Sequence, residues 1–229
     1  MERSRAAGLH GFPVVLSSFV GRAEAVNDLA GLLDQYRLVT ITGPGGAGKT
    51  RLAGQVAQLL AGRFGDGAWL AELATVRDPA EVSAAVAAAL GVRMLAEEGA
   101  AGVLARVLAR QQLLLVLDNC EHLIGAAAAL CGLLLPACDE LRILATSREP
   151  LRVAGEARYR LASLSLPDPA KAADGHEIET SEAVALFAER ARSADARFVL
   201  NGDTGPVVAR LVARQIGRAS CRERVCYVV

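Results

Sequence analysis

A chain of 229 residues is long enough for one well-buried core and a small second unit. Its 25 Lys plus Arg balance 25 Asp plus Glu, so no global field draws it to nucleic acid or to a membrane surface. With 52% hydrophobic but only 4% aromatic residues, the core must be built mainly from Leu, Val and Ala; no apolar stretch reaches the ~18 residues of a membrane span, and MERSRAAGLHGFP lacks the apolar centre of a secretory signal.

Residues 1–19 read as a loose lead-in. From Val20 to about Tyr36 the period is helical, with Val26, Leu29, Leu32 and Leu33 on one side. RLVTIT at 37–42 reads as a short buried strand. GPGGAGKT follows at 43–50, then an amphipathic helix from about Thr50 to Phe64, with Leu52, Val56, Leu59 and Leu60 facing inward. GDG at 65–67 breaks it, and AWLAEL at 68–73 is a second strand. Asp78-Pro79 starts a helix with Pro in its first turn, and the Ala-rich 80–90 carries it to Gly91. Another helix spans 101–110.

LLLVLD at 113–118 is a third strand, apolar on both faces until Asp118. An apolar helix follows at about 121–135. LRILA at 141–145 is a fourth strand, ending in TSRE, and ARYRLASL at 157–164 a fifth. Strands alternating with helices predict an α/β fold with a parallel sheet covered on both faces. PDPAKAADGHEIET at 167–180 is a linker by composition. Helices at 181–192 and about 203–214 begin an all-helical unit, 181–215. The last fourteen residues, IGRASCRERVCYVV, break that pattern and resemble a tail that recurs on unrelated chains as an assembly scar. They are set aside as non-native, at 216–229. Three Arg and one Glu leave with them, and the net charge moves from 0 to −2.

The five Cys show no paired metal spacing; Cys120, Cys131 and Cys138 read as reduced core thiols of a cytoplasmic protein. His10, His122 and His176 lack partner spacing and read as surface or capping residues rather than ligands.

GPGGAGKT matches G-x-x-x-x-G-K-[ST] from Gly43 to Thr50. Glycines at 43, 45, 46 and 48 permit backbone angles that let successive N–H groups turn around a phosphate. The helix that follows adds its positive N-terminal end. Lys49 can bridge the β- and γ-phosphates, and Thr50 can place its hydroxyl on Mg²⁺. The expected contact set is Gly43, Pro44, Gly45, Gly46, Ala47, Gly48, Lys49, Thr50 and Arg51.

With a phosphate loop in place, Asp118 gains a role. An acid ending a neighbouring buried strand sits beside such a loop and holds Mg²⁺ together with Thr50. Asn119 follows where many ATPase motors carry a Glu; Asn can hold a water but cannot accept its proton. Glu121 could substitute as base, or could simply favour the start of a helix. Slow hydrolysis is the expectation. Arg148, past the end of the fourth strand, lies where ligand groups gather in parallel sheets and could reach a γ-phosphate.

These pieces together resemble the NB-ARC-like branch of the STAND signal-transduction ATPases, above all the bacterial form found in LuxR-type and related transcriptional regulators. The matching stretches are SSFVGRAEAV with Val26, TGPGGAGKTRLA at 42–53, LLLVLDNCEHL at 113–123 and ILATSREPLRVAGE at 143–156. The resemblance implies a P-loop NTPase three-layer sandwich with a five-stranded parallel sheet ordered 5-1-4-3-2, over residues 20–166, followed by helical and winged-helix domains. It implies that ADP holds the closed form and that exchange for ATP opens it to self-associate. It makes Val20 and Arg22, in the FVGR segment, contacts to the base or ribose.

The chain departs from this pattern at its end. The Gly-Leu-Pro-Leu segment expected after LVARQ at 211–215 does not follow, and no winged helix, sensor repeats or effector domain is found. The expectation is an ATP/ADP switch module of a larger regulator that itself contacts neither nucleic acid nor membrane. A P-loop kinase of a small molecule would need an arginine-rich lid and an acceptor site. A DNA-binding fragment would need a basic recognition helix. The helical segment after 180 and the FVGR lead-in speak against the first, and the arginines of the set-aside tail are in no such helix.

Overall fold

Runs that are apolar in the sequence become strands because almost every side chain in them is shielded. The computed structural model describes residues 8–13, 19, 21–93, 99–162, 164–166 and 181–216. Strands β1 to β6 are Leu9–His10, Leu38–Thr42, Ala68–Glu72, Leu114–Asp118, Arg142–Ser147 and Glu156–Arg160. Helices α1 to α5 are Ala23–Gln35, Lys49–Leu60, Val82–Ala89, Ala100–Leu108 and Ile124–Ala137. Helices α6 and α7, Glu182–Ala194 and Gly205–Ile216, follow.

The six strands form one sheet in the order β1-β3-β4-β5-β2-β6, and each pairing is parallel. Parallel neighbours need crossovers, which the helices between them supply. Five of these strands keep the order that the family resemblance implies. The sixth is a correction: Leu9–His10, read as loose lead-in, pairs with Ala68 and Trp69 at the sheet edge. Two residues are too few to show any alternation. What holds them is tertiary: the His10 ring stacks on Trp69 at 4.0 Å, and Ala68 donates its N–H to the Gly8 carbonyl.

The core is aliphatic. Leu104, Leu108, Leu115, Leu117, Leu134 and Ile143 are fully buried in one cluster, and each such side chain contributes roughly 1.5–3 kcal/mol of transfer free energy. In α2, Leu52, Ala53, Val56, Ala57 and Leu60 recur at helical spacing on the buried face. α5 carries Pro136 in its last turn; Arg37 donates to the carbonyls of Leu135 and Cys138 there, at 2.7 and 3.3 Å.

The chain divides into two compact units. The first holds the sheet and α1 to α5, including Glu24–Gly43 and Gly48–Leu161. The second takes the described residues after 161, together with Phe19, Gly21, Arg22, Ala23 and Pro44–Ala47. In the second unit α6 and α7 bury Val184, Phe187, Ala191, Val208 and Val212, with Phe198 edge-on to Phe187. Ser181 caps α6, its hydroxyl accepting from the Val184 N–H. The expected linker at 167–180 and the tail after 216 lie outside the described residues, as do Val20, His176, Cys221 and Cys226.

Candidate functional site

The glycine-rich loop at 43–48 joins β2 to α2. Gly46 and Gly48 take φ of 76° and 88°, the left-handed region that glycine enters without steric cost. α2 starts at Lys49, and Gly48 at its N-cap supplies no side-chain cap; the positive end of a helix suits an anion. Lys49 is 8% exposed and donates through Nζ to the Gly43 carbonyl at 2.9 Å. Burial pulls its pKa below the ordinary lysine value; Glu121 pushes back, Arg148 adds to the lowering, and Asp118 opposes it.

Asp118 ends β4 at 4% exposure. The Thr50 hydroxyl lies 2.8 Å from its Oδ1 and 3.0 Å from its Oδ2. The Thr146 hydroxyl donates to Oδ1 at 2.6 Å. A buried carboxylate thus meets a hydroxyl of the first turn of α2, two hard oxygen donors of the kind Mg²⁺ accepts. Among the described residues no group of three or more His, Cys, Asp or Glu is placed to hold a metal. An ion at Asp118 and Thr50 would take its remaining ligands from water and phosphate, the usual arrangement for Mg²⁺.

Asn119 has a left-handed backbone, φ 64°, and donates its N–H to the Thr146 hydroxyl at 2.9 Å. Glu121 stands in the 3₁₀ turn Cys120–His122. Its Oε1 accepts from Arg148 Nε at 3.1 Å, while Oε2 is buried without a hydrogen-bond partner. The two candidates for acid–base work and for phosphate sensing therefore meet each other. Arg148 remains 67% exposed. Beyond it, Glu156 accepts from the backbone N–H groups of Leu151 and Arg152 and fixes the turn into β6.

In the second unit, Arg22 also has a positive φ, 61°. Its backbone N–H donates to Glu182 Oε1 at 2.8 Å. Its guanidinium donates to the carbonyls of Ala47 and Ala162, at 2.6 and 3.2 Å. A Cβ on Gly21, φ 72°, would stand 2.8 Å from Glu182 Oε1. The Gly-Arg pair thus forms a turn whose N–H faces a carboxylate, and Arg22 braces the loop at Ala47.

Residues 8–164 match the model of nSTAND1, the novel STAND NTPase 1 family. The chain belongs to this family. Over 202 residues it is 41% identical to an uncharacterised protein of Mycobacterium tuberculosis, covering 88% of this chain and 48% of that relative. Over 186 residues it is 41% identical to another M. tuberculosis protein whose provisional name is HTH-type transcriptional regulator, covering 81% of this chain and 19% of that one. The chain therefore spans about half or less of the curated relatives it matches. Two solved structures share the fold. One is a STAND protein with a tetratricopeptide-repeat sensor from Pyrococcus horikoshii, with a TM-score of 0.53 at 15% identity over 88% of this chain and 29% of that one. The other is Cdc6p from Pyrobaculum aerophilum, with a TM-score of 0.50 at 15% identity over 91% and 66%. The α/β fold with its parallel sheet is thus shared with these structures, as the sequence led one to expect.

Of the residues singled out in this nSTAND1 chain, the first unit brings together Lys49, Thr50, Asp118, Glu121 and Arg148. Arg51 is half-buried on α2. Cys120, Cys131 and Cys138 are buried and free; burial pushes the thiol of Cys131 up to about 12 and that of Cys120 higher. His122 contacts the Val76 carbonyl through Nε2. Two residues went unread in the sequence: Thr146 and Glu182. A polar residue inside an apolar strand end was the available signal for the first. For Glu182 the sequence offered only an acid in a first helical turn, which dipole arguments already explain.

Proposed function

We propose that this chain is the nucleotide-binding switch of a larger signalling or transcriptional regulator, taking ATP and ADP with Mg²⁺ and hydrolysing slowly. The observation that carries this reading is the buried Asp118 carboxylate against the Thr50 hydroxyl, one residue past the lysine of a glycine-rich loop. Thr50 and Asp118 would hold Mg²⁺, which when bound offsets the charge on the β- and γ-phosphates. The loop N–H groups from Gly43 to Gly48, the first turn of α2 and the Lys49 ammonium receive the phosphates; Arg51 stands in that turn. Val20 and Arg22 serve the base and ribose side.

Arg148 reports the γ-phosphate. Its pairing with Glu121 is exposed on the arginine side, and such pairs are worth at most about 1 kcal/mol. A phosphate can therefore draw Arg148 away. Glu121, with one buried oxygen unpartnered, is then the acid that accepts a proton from water, since Asn119 cannot. A base that must first leave an arginine suits a timer more than a motor.

The domain plan fits the same role: a nucleotide-binding domain over 20–166, a linker over 167–180, a partial helical domain over 181–215 and a non-native tail over 216–229. The arrangement is NB-ARC-like, cytoplasmic, and joined in the full protein to winged-helix, sensor and effector parts, with self-association in the ATP state. The name of the M. tuberculosis relative supports a transcriptional output. No helix among the described residues is long and apolar enough to cross a membrane.

Calorimetric titration of ATP and ADP, with Mg²⁺ and with EDTA, tests the reading. Mg²⁺-dependent binding that Lys49→Ala weakens is the expected result. Absence of binding, or equal binding by a folded Lys49→Ala protein, would remove it.

A further inference from the structure

The hydroxyl of Thr146 is an unusual group for its place. β5 reads RILATS, and Ile143, Leu144 and Ala145 before it are fully buried. Thr146 itself is 1% exposed. A buried hydroxyl is costly unless its hydrogen bonds are made. This one makes two, and both fall on one short piece of chain: it donates to Asp118 Oδ1 at 2.6 Å and accepts from the Asn119 N–H at 2.9 Å.

The consequences follow from which atoms are engaged. An aspartate carboxylate turns readily about its last torsion. Oδ1 takes the short bond from Thr146, so the plane of the carboxylate is fixed from the side of the neighbouring strand. The Thr50 hydroxyl can turn to a ligand without setting Asp118 adrift. The same Thr146 oxygen holds Asn119 in its left-handed backbone, φ 64°, a conformation that is tolerated best by Asn, Asp and Gly. That residue aims the Cys120–His122 turn, which carries Glu121.

We propose that Thr146 is a positioning residue for the ion site: its single hydroxyl sets both the Asp118 carboxylate and the turn that presents Glu121. It touches neither phosphate nor ion itself. The inference rests on the proposed function, in that Asp118 must serve a Mg²⁺–nucleotide. Threonine suits the post because its methyl packs in the apolar strand while its hydroxyl bridges. Valine would keep the shape and lose both bonds.

The test uses the full chain. ATP affinity is measured by calorimetry with Mg²⁺ and with EDTA for wild type, Thr146→Val and Thr146→Ser, and thermal unfolding is followed without nucleotide. Removing the partner that orients a metal-binding group typically costs about 10–100-fold in metal affinity. Thr146→Val should therefore lose roughly 10-fold or more of the Mg²⁺-dependent tightening, while its EDTA affinity stays near wild type. Thr146→Ser should restore the Mg²⁺ response. Should Thr146→Val fold poorly, Thr146→Cys keeps the size and only a weak donor, and the same split applies to it. A wild-type Mg²⁺ response in Thr146→Val overturns the inference. So does an equal loss with and without Mg²⁺ that serine fails to repair, which would mean a packing role alone. If wild type binds ATP without any Mg²⁺ effect, the ion assignment of Asp118 falls first and this inference with it.

Discussion

Two clusters of polar side chains, one in each unit, are built differently. In the first unit, Thr50, Asp118 and Thr146 are short side chains, and the two on the strands are almost fully buried. Their separations are set by β4, β5 and the first turn of α2. In the second unit, Glu182, Arg22 and the Ala47 carbonyl are joined through long side chains. Arg22 and Glu182 are 160 residues apart in sequence. The strand-end cluster is fixed by the packing of the sheet. The loop cluster is fixed only when α6 presents Glu182, a residue beyond the 8–164 span of the family match. The strand-end cluster is therefore set within the first unit by the sheet, whereas the cluster at Ala47 is set within the second unit by α6.

The largest effect is expected where the nucleotide meets a single charge. Lys49→Ala should weaken ATP and ADP binding by about 10–100-fold, the worth of one charge-assisted bond, with an unchanged circular dichroism spectrum. Nucleotide binding equal to wild type would erase the distinction between the clusters, because neither would then serve a phosphate.

Asp118→Ala comes next and sharpens the comparison. It should remove most of the Mg²⁺ dependence, roughly 10-fold or more, and leave EDTA affinity nearly intact. Titrations at fixed ATP with increasing Mg²⁺ would show a flat response.

Glu182→Ala probes the other cluster. It deprives the Arg22 N–H of its acceptor and frees the Gly21 turn. A partly exposed neutral-donor bond to a carboxylate is worth about 1–2 kcal/mol, here shared with loop ordering. Nucleotide affinity should fall several-fold by the same factor with Mg²⁺ and with EDTA. A selective loss of the Mg²⁺ response in this variant would show that the two clusters act as one.

Arg148→Ala should have the smallest effect. Its ion pair with Glu121 is largely exposed, so thermal stability should move by less than about 1 kcal/mol. The preference for ATP over ADP should narrow by a few-fold, because only the γ-phosphate is proposed to meet this side chain. Competition between the two nucleotides at equilibrium measures it directly.

Local backbone and burial were legible from residues alone. GPGGAGKT needs glycine where the backbone turns left-handed, and Gly46 and Gly48 do turn that way. LLLVLD needs shielding on both faces, and β4 is buried throughout. Five strands followed from apolar runs alternating with helical periods, and their order from the resemblance those motifs carried. Long-range pairings were not legible. Leu9–His10 joins the sheet through Trp69 and Ala68, far along the chain. Glu121 meets Arg148, and Thr146 meets Asp118, only because β4 and β5 lie side by side with a particular register. Arg22 reaches Ala47 and Glu182 through a turn whose angles no period encodes. Sequence by itself determined the left-handed glycines of the loop and the buried strand that ends in Asp118, since these depend on side-chain type and local backbone freedom. The tertiary structure alone decided which hydroxyl orients which carboxylate, since a hydrogen bond between neighbouring strands is a matter of tenths of an ångström that only the packed sheet fixes.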